Sequence, residues 1–139
     1  MRFAAVVADA NVLLSAAIGK AALKVFTEHR VEVHATEFNI DEVEEYLPAL
    51  ASKYRLMPEE VYLHWRVLAI EIHPQTDYAS QLEAARGDLA ERDPADAHPL
   101  ALARALALPM WSNDRDLQDL GVDCLPTARL LSLLEARTS

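Results

Sequence analysis

The chain has 139 residues, which favours one domain large enough to bury a core without covalent cross-links. Hydrophobic residues make up 52% of it and charged residues 25%, which argues against disorder, and its lone cysteine, Cys124, excludes an internal disulfide. The formal net charge of −9 argues against a protein that coats nucleic acid through Lys and Arg, but it fits an acidic site where metal ions supply positive charge.

Apolar runs that suit buried strands alternate with stretches of helical periodicity. Strands are predicted over Phe3–Ala8, Val31–Ala35, Ala69–His73, Pro109–Ser112 and Val122–Leu125. Helices are predicted over Asn11–Ala17, Lys20–His29, Ile40–Tyr54, Pro58–Leu68, Tyr78–Arg92, Pro94–Leu106 and Pro126–Arg137. We expect Pro48 to kink or divide the helix that contains it. Strands separated by helices indicate a parallel sheet covered on both faces, so we predict an α/β fold, a three-layer α/β/α sandwich, as one domain over residues 1–139.

The apolar stretch near the start of the sequence is interrupted by Asp9 and Asn11. A signal peptide or a membrane span needs a longer uncharged run. We therefore expect a cytoplasmic protein that does not enter a membrane.

Carboxylates follow two predicted strands that lie far apart in the sequence. Asp9 comes directly after the apolar run VVA, and Asp114 comes shortly after LPMW. The carboxyl ends of parallel strands open into one crevice, so these two acids can meet there. Converging carboxylates are costly unless a cation joins them, and Mg²⁺ prefers oxygen ligands and keeps several waters for a phosphate substrate. The pattern predicts a divalent metal site at this edge of the sheet.

Two further acidic segments lie between those strands. FNIDEVEEY falls on a predicted helix, where periodicity does not rank Asp41, Glu42, Glu44 and Glu45, and RDPADAH begins a helix. Every acidic segment also has a purely structural interpretation. Asp9 suits a turn before a helix capped by Asn11, FNIDEVEEY suits a solvated helix face, and Asp93, Asn113 or Asp114 suit helix caps. The order and placement of the segments favour a shared site.

These motifs resemble, over nearly the whole chain, those of the PIN-domain family of metal-dependent ribonucleases, which includes VapC-type toxins. VVADANVLLSA is similar to the opening motif, an apolar strand ending in Asp, any residue and Asn before an apolar helix with a small hydroxyl residue. ATEFNIDEVEEYL resembles the second motif, in which Thr36 starts a helix and Glu42 follows. RDPADAHPLALARAL resembles the third, with its acid at a helix start, and MWSNDRDL resembles the fourth, with Ser112 before Asp114.

The resemblance implies an endoribonuclease that cuts single-stranded RNA with one or two Mg²⁺ or Mn²⁺ ions. The implied catalytic and metal-binding residues are Asp9, Glu42, Asp96 and Asp114, with Asp93 and Asp116 as accessory acids. Asn11, Ser15 and Ser112 could orient these ligands or a metal-held water. Lys20, Lys24, Arg92 and Arg115 are candidates for phosphate contacts. Family members commonly form homodimers, and in toxin operons an antitoxin blocks them, so both partners are expected.

Departures from the family pattern occur at Asn113, where Gly is frequent, and at Pro99, which removes a backbone donor and is expected to kink the helix bearing Asp96. His98 beside it is interpreted as a half-exposed helix residue. A self-association surface on the helix face of Tyr62, Trp65 and Leu68 competes with core burial of the same face.

Three other functions are compatible with parts of the pattern. A haloacid-dehalogenase-like phosphatase also begins with an Asp at a strand end, but its motif places a second Asp where this chain has Asn11. A module of the same fold could bind partners without cleaving RNA. A purely structural domain with capped helices would bind no metal tightly.

Overall fold

The computed structural model describes residues 5–89 and 93–138. The strands are β1 (Ala5–Ala8), β2 (Glu32–Thr36), β3 (Ile70–His73), β4 (Met110–Trp111) and β5 (Cys124–Leu125). The helices are α1 (Ala10–Ala17), α2 (Leu23–Thr27), α3 (Glu37–Lys53), α4 (Pro58–Arg66), α5 (Ala79–Asp88), α6 (Ala97–Leu106) and α7 (Thr127–Thr138). Short 3₁₀ turns lie at Gln75–Asp77, Pro94–Asp96 and Arg115–Leu117.

The strands form a five-stranded sheet in the order β3-β2-β1-β4-β5. Each neighbouring pair is parallel, as the strand–helix alternation predicts. Strand β1 lies at the centre because its apolar side chains can be buried on both faces, and Val6 and Val7 are both fully inaccessible to solvent. The central position puts the end of β1 directly beside the end of β4.

Helices cover both faces of the sheet, which confirms the predicted α/β/α sandwich. On one face Val6, Ala8 and Trp111 pack with residues of α1, α3, α4 and α7. On the other face Val7 and Met110 pack with residues of α5 and α6. Adjacent residues of β1 enter different cores because side chains alternate along a strand. None of the described helices combines the length and apolarity that a membrane span requires.

The structure places both prolines singled out in the sequence within helices. Pro48 lies inside α3, which runs without interruption from Glu37 to Lys53, so the expected division of this helix is wrong. Pro99 lies in the first turn of α6, where a backbone N–H would have no partner within the helix, so no helical hydrogen bond is lost.

Helix α4 combines buried and exposed apolar residues. Trp65 is buried and Leu68, just beyond the helix, packs against the same core, while Tyr62 stays partly exposed. Core burial therefore accounts for most of the face that Tyr62, Trp65 and Leu68 form. The exposed apolar side chains of this helix are instead Leu63 and, just after it, Val67.

Candidate metal centre

Asp9 begins the site from the central strand. It follows β1 and is the N-cap of α1, where its Oδ1 accepts a hydrogen bond of 3.0 Å from the backbone N–H of Val12. The expectation that Asn11 caps this helix is therefore wrong. Only 5% of Asp9 is exposed, and burial raises the pKa of its carboxyl, with a further contribution from the charge of Asp114. A carboxylate this deeply buried is costly without a cation.

Ser112 connects Asp9 to the neighbouring strand end. The Ser112 side chain is fully buried and hydrogen-bonds the Asp9 carboxylate. Its hydroxyl oxygen also accepts a 3.1 Å hydrogen bond from the backbone N–H of Asp114. One Asp114 oxygen accepts the N–H of Asp116 at 2.8 Å, which caps the turn after β4, and Asp116 itself is exposed. The end of β4 is thus held beside the end of β1 through side-chain contacts.

Glu42 is positioned by the start of α3. The hydroxyl of Thr36 accepts the backbone N–H of Asn39 at 3.0 Å and donates to the Asn39 side-chain oxygen at 2.6 Å. The Asn39 amide nitrogen then donates to Glu42 at 3.3 Å. Thr36 and Asn39 are buried, so this chain of contacts fixes the Glu42 carboxylate from within the protein. Sequence analysis missed Asn39, although the spacing of Thr36, Asn39 and Glu42 at every third residue of a helix start could have identified it.

Asp93 and Asp96 approach from the start of α6. Asp93 accepts the backbone N–H of Ala95 at 3.0 Å and caps the 3₁₀ turn, while Asp96 lies at the junction with α6. Burial raises the pKa of Asp96 to about 6, and the charges of neighbouring acids add to the shift. Those acids are Asp114, Asp93, Asp9 and Glu42. Acids from separate parts of the sequence therefore share one electrostatic environment.

A small cavity of about 80 Å³ lies where these elements meet, and we refer to it as the acidic cavity. Its polar lining residues are Asp9, Asn11, Asn39, Glu42, Tyr46, Asp93 and Asp96. The pKa of Glu42 is raised by burial and by the charges of Asp93 and Asp9. The carboxyl groups at this cavity supply only oxygen donors, the set that Mg²⁺ and Mn²⁺ prefer. The donor chemistry thus fits a hard divalent cation.

The remaining residues selected from the sequence lie at different distances from this cavity. Asn11 lines it, whereas Ser15 lies one turn farther along α1 and does not. Lys20 donates to the Tyr54 hydroxyl at 3.1 Å, and its ammonium lies 4.4 Å from the centre of that ring. Lys24 and Arg115 are exposed, and Arg92 lies outside the described residues.

His98 and Asn113 have structural roles here. The expected half-exposure of His98 is wrong, because only 5% of it is accessible. Its Nδ1 lies 2.6 Å from the Tyr78 hydroxyl, its ring stacks on Phe38, and burial lowers its pKa. Asn113 accepts the backbone N–H of Thr127 at 2.8 Å, so its side chain satisfies the start of α7, which Gly could not do.

Cys124 lies on β5 beside this region. Its thiol is 3.8 Å from the Ser112 carbonyl oxygen, and it is buried. Burial raises the pKa of the thiol to about 11, with smaller contributions from the charges of Asp9 and Asp114. The thiol is therefore protonated and unreactive at neutral pH.

Comparison with known proteins gives a family match and structural matches. The model of the PIN domain matches residues 7–135. A toxin-antitoxin complex from Klebsiella pneumoniae is 19% identical, with 84% of this chain and 92% of that chain covered and a TM-score of 0.61. The crystal structure of PAE2754 from Pyrobaculum aerophilum is 18% identical, with 96% of this chain and 90% of that chain covered and a TM-score of 0.73. Comparison with curated proteins gives no match. At these identities the structural likeness establishes the fold.

Proposed function

We propose that this chain, which belongs to the PIN-domain family, is a metal-dependent endoribonuclease that cleaves single-stranded RNA. The observation that carries the proposal is the convergence of one buried acid, Asp9, and the half-buried acids Glu42 and Asp96 at the acidic cavity. The pKa values of Asp9, Glu42 and Asp96 are all raised, because negative charge is unfavourable at these positions, and a divalent cation would stabilise the ionised carboxylates. Cleavage of a phosphodiester is the chemistry that such a cation supports.

In this proposal Asp9, Glu42, Asp96 and Asp114 hold Mg²⁺ or Mn²⁺, with Asp93 and Asp116 as accessory acids. When bound, the metal lowers the pKa of a water and stabilises charge on the phosphate. Ser112 orients Asp9 through its hydroxyl, and Asn39 orients Glu42 through its amide. Asn11, on the cavity wall, is available to position a metal-held water or the phosphate.

A groove beside the acidic cavity would receive the substrate strand. The groove has a volume of about 370 Å³ and shares Asn11, Glu42 and Tyr46 with the cavity, and it extends along α3 to Lys53. Tyr46 is 53% exposed, so its ring is available for stacking with an unpaired base. Lys53 and the nearby Lys20 would contact backbone phosphates, and Arg115 offers a further contact beyond Asp114. An exposed aromatic ring between acids and lysines supports a single strand over a duplex.

The deciding experiment is cleavage of labelled single-stranded RNA by the purified chain with Mg²⁺ or Mn²⁺. Cleavage should stop with EDTA and return when excess Mg²⁺ is added. Asp9→Asn should also abolish cleavage while the chain stays folded, because the Asn oxygen can still cap α1 through Val12. Asp41→Asn, the same change at an exposed position of α3, is the matched control and should cleave normally.

If Asp9→Asn cleaves as fast as wild type, the assigned site is wrong. RNA binding without cleavage by the wild-type chain would favour the alternative, a PIN-fold binding or regulatory module. The phosphatase alternative predicts release of phosphate from a phosphomonoester, and both the family match and Asn11 argue against it.

We also propose that this chain is the toxin of a cytoplasmic toxin–antitoxin pair. One structural relative is a toxin-antitoxin complex, which supports an antitoxin partner for this chain. Induced expression should arrest growth, and the same expression of Asp9→Asn should not. Growth unaffected by an active wild-type nuclease would argue against the toxin role.

A homodimer is the proposed assembly, with α4 as its contact surface. Leu63 is 63% and Val67 78% exposed, and they lie one helical turn apart. Light scattering should give the mass of a dimer for wild type and of a monomer for Leu63→Glu. A monomeric wild type would overturn the assembly without affecting the nuclease proposal.

A further inference from the structure

A second group of metal-binding side chains lies away from the acidic cavity, at the edge of the sheet. His34 is on β2, and Glu71 and His73 are on β3. The parallel register pairs His34 with Glu71 and Thr36 with His73, so the three side chains emerge from the same face of the sheet. His34 Nδ1 lies 2.8 Å from His73 Nε2 and 3.6 Å from a Glu71 carboxylate oxygen. We refer to His34, Glu71 and His73 as the histidine cluster.

Carboxylates contact the outward-facing nitrogens of both imidazole rings. His34 Nε2 lies 2.7 Å from Glu32, and His73 Nδ1 lies 2.8 Å from Asp77. Because an ionised carboxylate can only accept a hydrogen bond, each of these outer nitrogens carries the proton and donates it. In a neutral imidazole the other nitrogen is then an acceptor with a free lone pair. If both rings are neutral, their lone pairs face each other across 2.8 Å, and a cation, either a shared proton or a metal ion, would relieve that repulsion.

We propose that the histidine cluster binds one Zn²⁺ ion through His34 Nδ1, His73 Nε2 and a Glu71 carboxylate oxygen. The ligand atoms of these residues all lie within 4.8 Å of one another. Tetrahedral ligands at a Zn–N distance of about 2.0 Å stand about 3.3 Å apart. The two nitrogens, now 2.8 Å apart, need to separate by only a fraction of an ångström. Glu71 is exposed, so a water can occupy the fourth position of the metal.

The donor set distinguishes this site from the acidic cavity. Imidazole nitrogen suits Zn²⁺, whereas Mg²⁺ requires oxygen donors. Glu32 and Asp77 act as the carboxylates that fix the ring orientation and tautomer of metal-bound histidines. The side chains of His34 and His73 are 8% and 12% exposed, so most of the positional order that a metal site requires is already present.

Metal at this position would join the edge strand β3 to β2. Strand β2 runs directly into Thr36, whose hydroxyl starts the chain of contacts to Glu42. An edge strand has only one neighbouring strand, so a metal bridge replaces contacts that a second neighbour would provide. Because Zn²⁺ would bind at this position only in the folded chain, its binding would raise the free energy of unfolding.

The test is metal binding by the untagged, chelator-treated full chain. Calorimetry should detect one strong Zn²⁺ site, and Co²⁺ as a substitute should develop the visible absorption of a tetrahedral complex with imidazole ligands. Glu71→Gln, an exposed position at which folding is not at risk, and His73→Gln should both lose this site. Asp77→Asn should weaken it by about 10–100-fold, the usual effect of removing a carboxylate behind a metal-bound histidine.

Two controls separate this site from other ligands of the chain. His64→Gln removes an exposed histidine of α4 outside the cluster, and Asp9→Asn removes an acid of the acidic cavity; both should keep Zn²⁺ uptake. The proposal is overturned if wild type takes up no more Zn²⁺ than His73→Gln. It is equally overturned if Asp9→Asn or His64→Gln abolishes the uptake. The result does not depend on RNA cleavage, so failure here leaves the nuclease proposal intact.

Discussion

The acidic cavity and the histidine cluster lie on the same sheet but are built in opposite ways. The acidic cavity gathers oxygen atoms from residues that are distant in sequence, such as Asp9 and Asp96, and the parallel topology brings them together. The histidine cluster joins neighbours across one strand pair, His34 and His73, and adds nitrogen donors. Under the two proposals, donor type alone would direct a hard cation and a borderline cation to separate positions on one sheet.

The two regions also differ in the contacts that orient their candidate metal-binding side chains. At the acidic cavity the backbone contributes to this orientation, because Asp9 and Asp93, and Asp114 beside the cavity, each accept a main-chain N–H as a cap, in addition to the side-chain contacts of Ser112 and Asn39. In the histidine cluster other side chains do so, through Glu32 and Asp77. Capping and metal binding are therefore compatible at one residue, since a carboxylate has two oxygens and a cap uses one.

The largest effect is expected for Asp96→Asn, which should impair RNA cleavage and leave Zn²⁺ uptake unchanged. This change removes a charge from the acidic cavity, and we expect RNA cleavage to fall by at least about 100-fold, the upper range for loss of a residue that only orients a ligand. Zn²⁺ uptake should stay at the wild-type level, as calorimetry would measure. Asp119→Asn is the control, because Asn tolerates the positive φ of 62° at that exposed position. Loss of both RNA cleavage and Zn²⁺ uptake in Asp96→Asn would show that the acidic cavity and the histidine cluster are not independent.

A smaller effect is expected for Asn39→Ala, which removes the amide that orients Glu42. We expect a loss of about 10–100-fold in Mg²⁺ affinity, with cleavage partly restored at high Mg²⁺. The measurement is the cleavage rate as a function of Mg²⁺ concentration. A reduced rate that Mg²⁺ cannot restore would assign Asn39 a role other than holding Glu42.

Mg²⁺ affinity and the stability of the metal-free chain should both depend on pH through Asp96. The pKa of Asp96 is about 6 instead of 3.8, so below pH 6 a proton competes with the metal and Mg²⁺ affinity should fall. Between these values the folded chain binds more protons than the unfolded chain, so the metal-free protein loses stability as the pH rises through this range. Calorimetry with Mg²⁺ and thermal unfolding without metal, from pH 4 to pH 8, would measure the two trends. In Asp96→Asn both should be reduced, and an unchanged pH dependence there would contradict the assignment.

The smallest effect is expected at Asn113. Asn113→Ala removes the acceptor for the Thr127 N–H and should cost about 1 kcal/mol of unfolding free energy, the usual value for a lost helix cap. Metal binding in both regions should be unaffected. Denaturant unfolding measures the change, and loss of Mg²⁺ binding would show that this turn also supports the acidic cavity.

The fold and the position of the candidate site were largely predictable from the sequence. Apolar runs predicted β1 and β4, because strands buried on both faces need continuous hydrophobic residues, whereas β2 and β3 contain the polar residues Glu32, His34, Glu71 and His73. Asp9 and Asp114 were placed correctly at strand ends that meet, since parallel topology dictates that geometry. The catalytic and metal-binding roles of these acids stay predictions.

Features that depend on three-dimensional packing were not predictable. Pro48 is tolerated in a continuous α3, and His98 is buried by Tyr78 and Phe38, neither of which is near it in sequence. The histidine cluster was missed because its residues are unremarkable along the chain. Only the register of β2 with β3 brings His34 beside His73.

Chemical modification of the buried Cys124 thiol can report on changes at the edge of the sheet next to Asp9 and Asp114. The protonated and largely buried sulfur lies beside the Ser112 carbonyl on the edge strand β5, so alkylation is slow while β5 stays paired with β4. The rate of alkylation therefore reports how often the thiol becomes accessible and deprotonated at this edge of the sheet. A cation bound at Asp9 and Asp114 would offset the charges that raise the pKa of this thiol, so it should speed alkylation, and the rate at one natural side chain would measure metal occupancy of the neighbouring site.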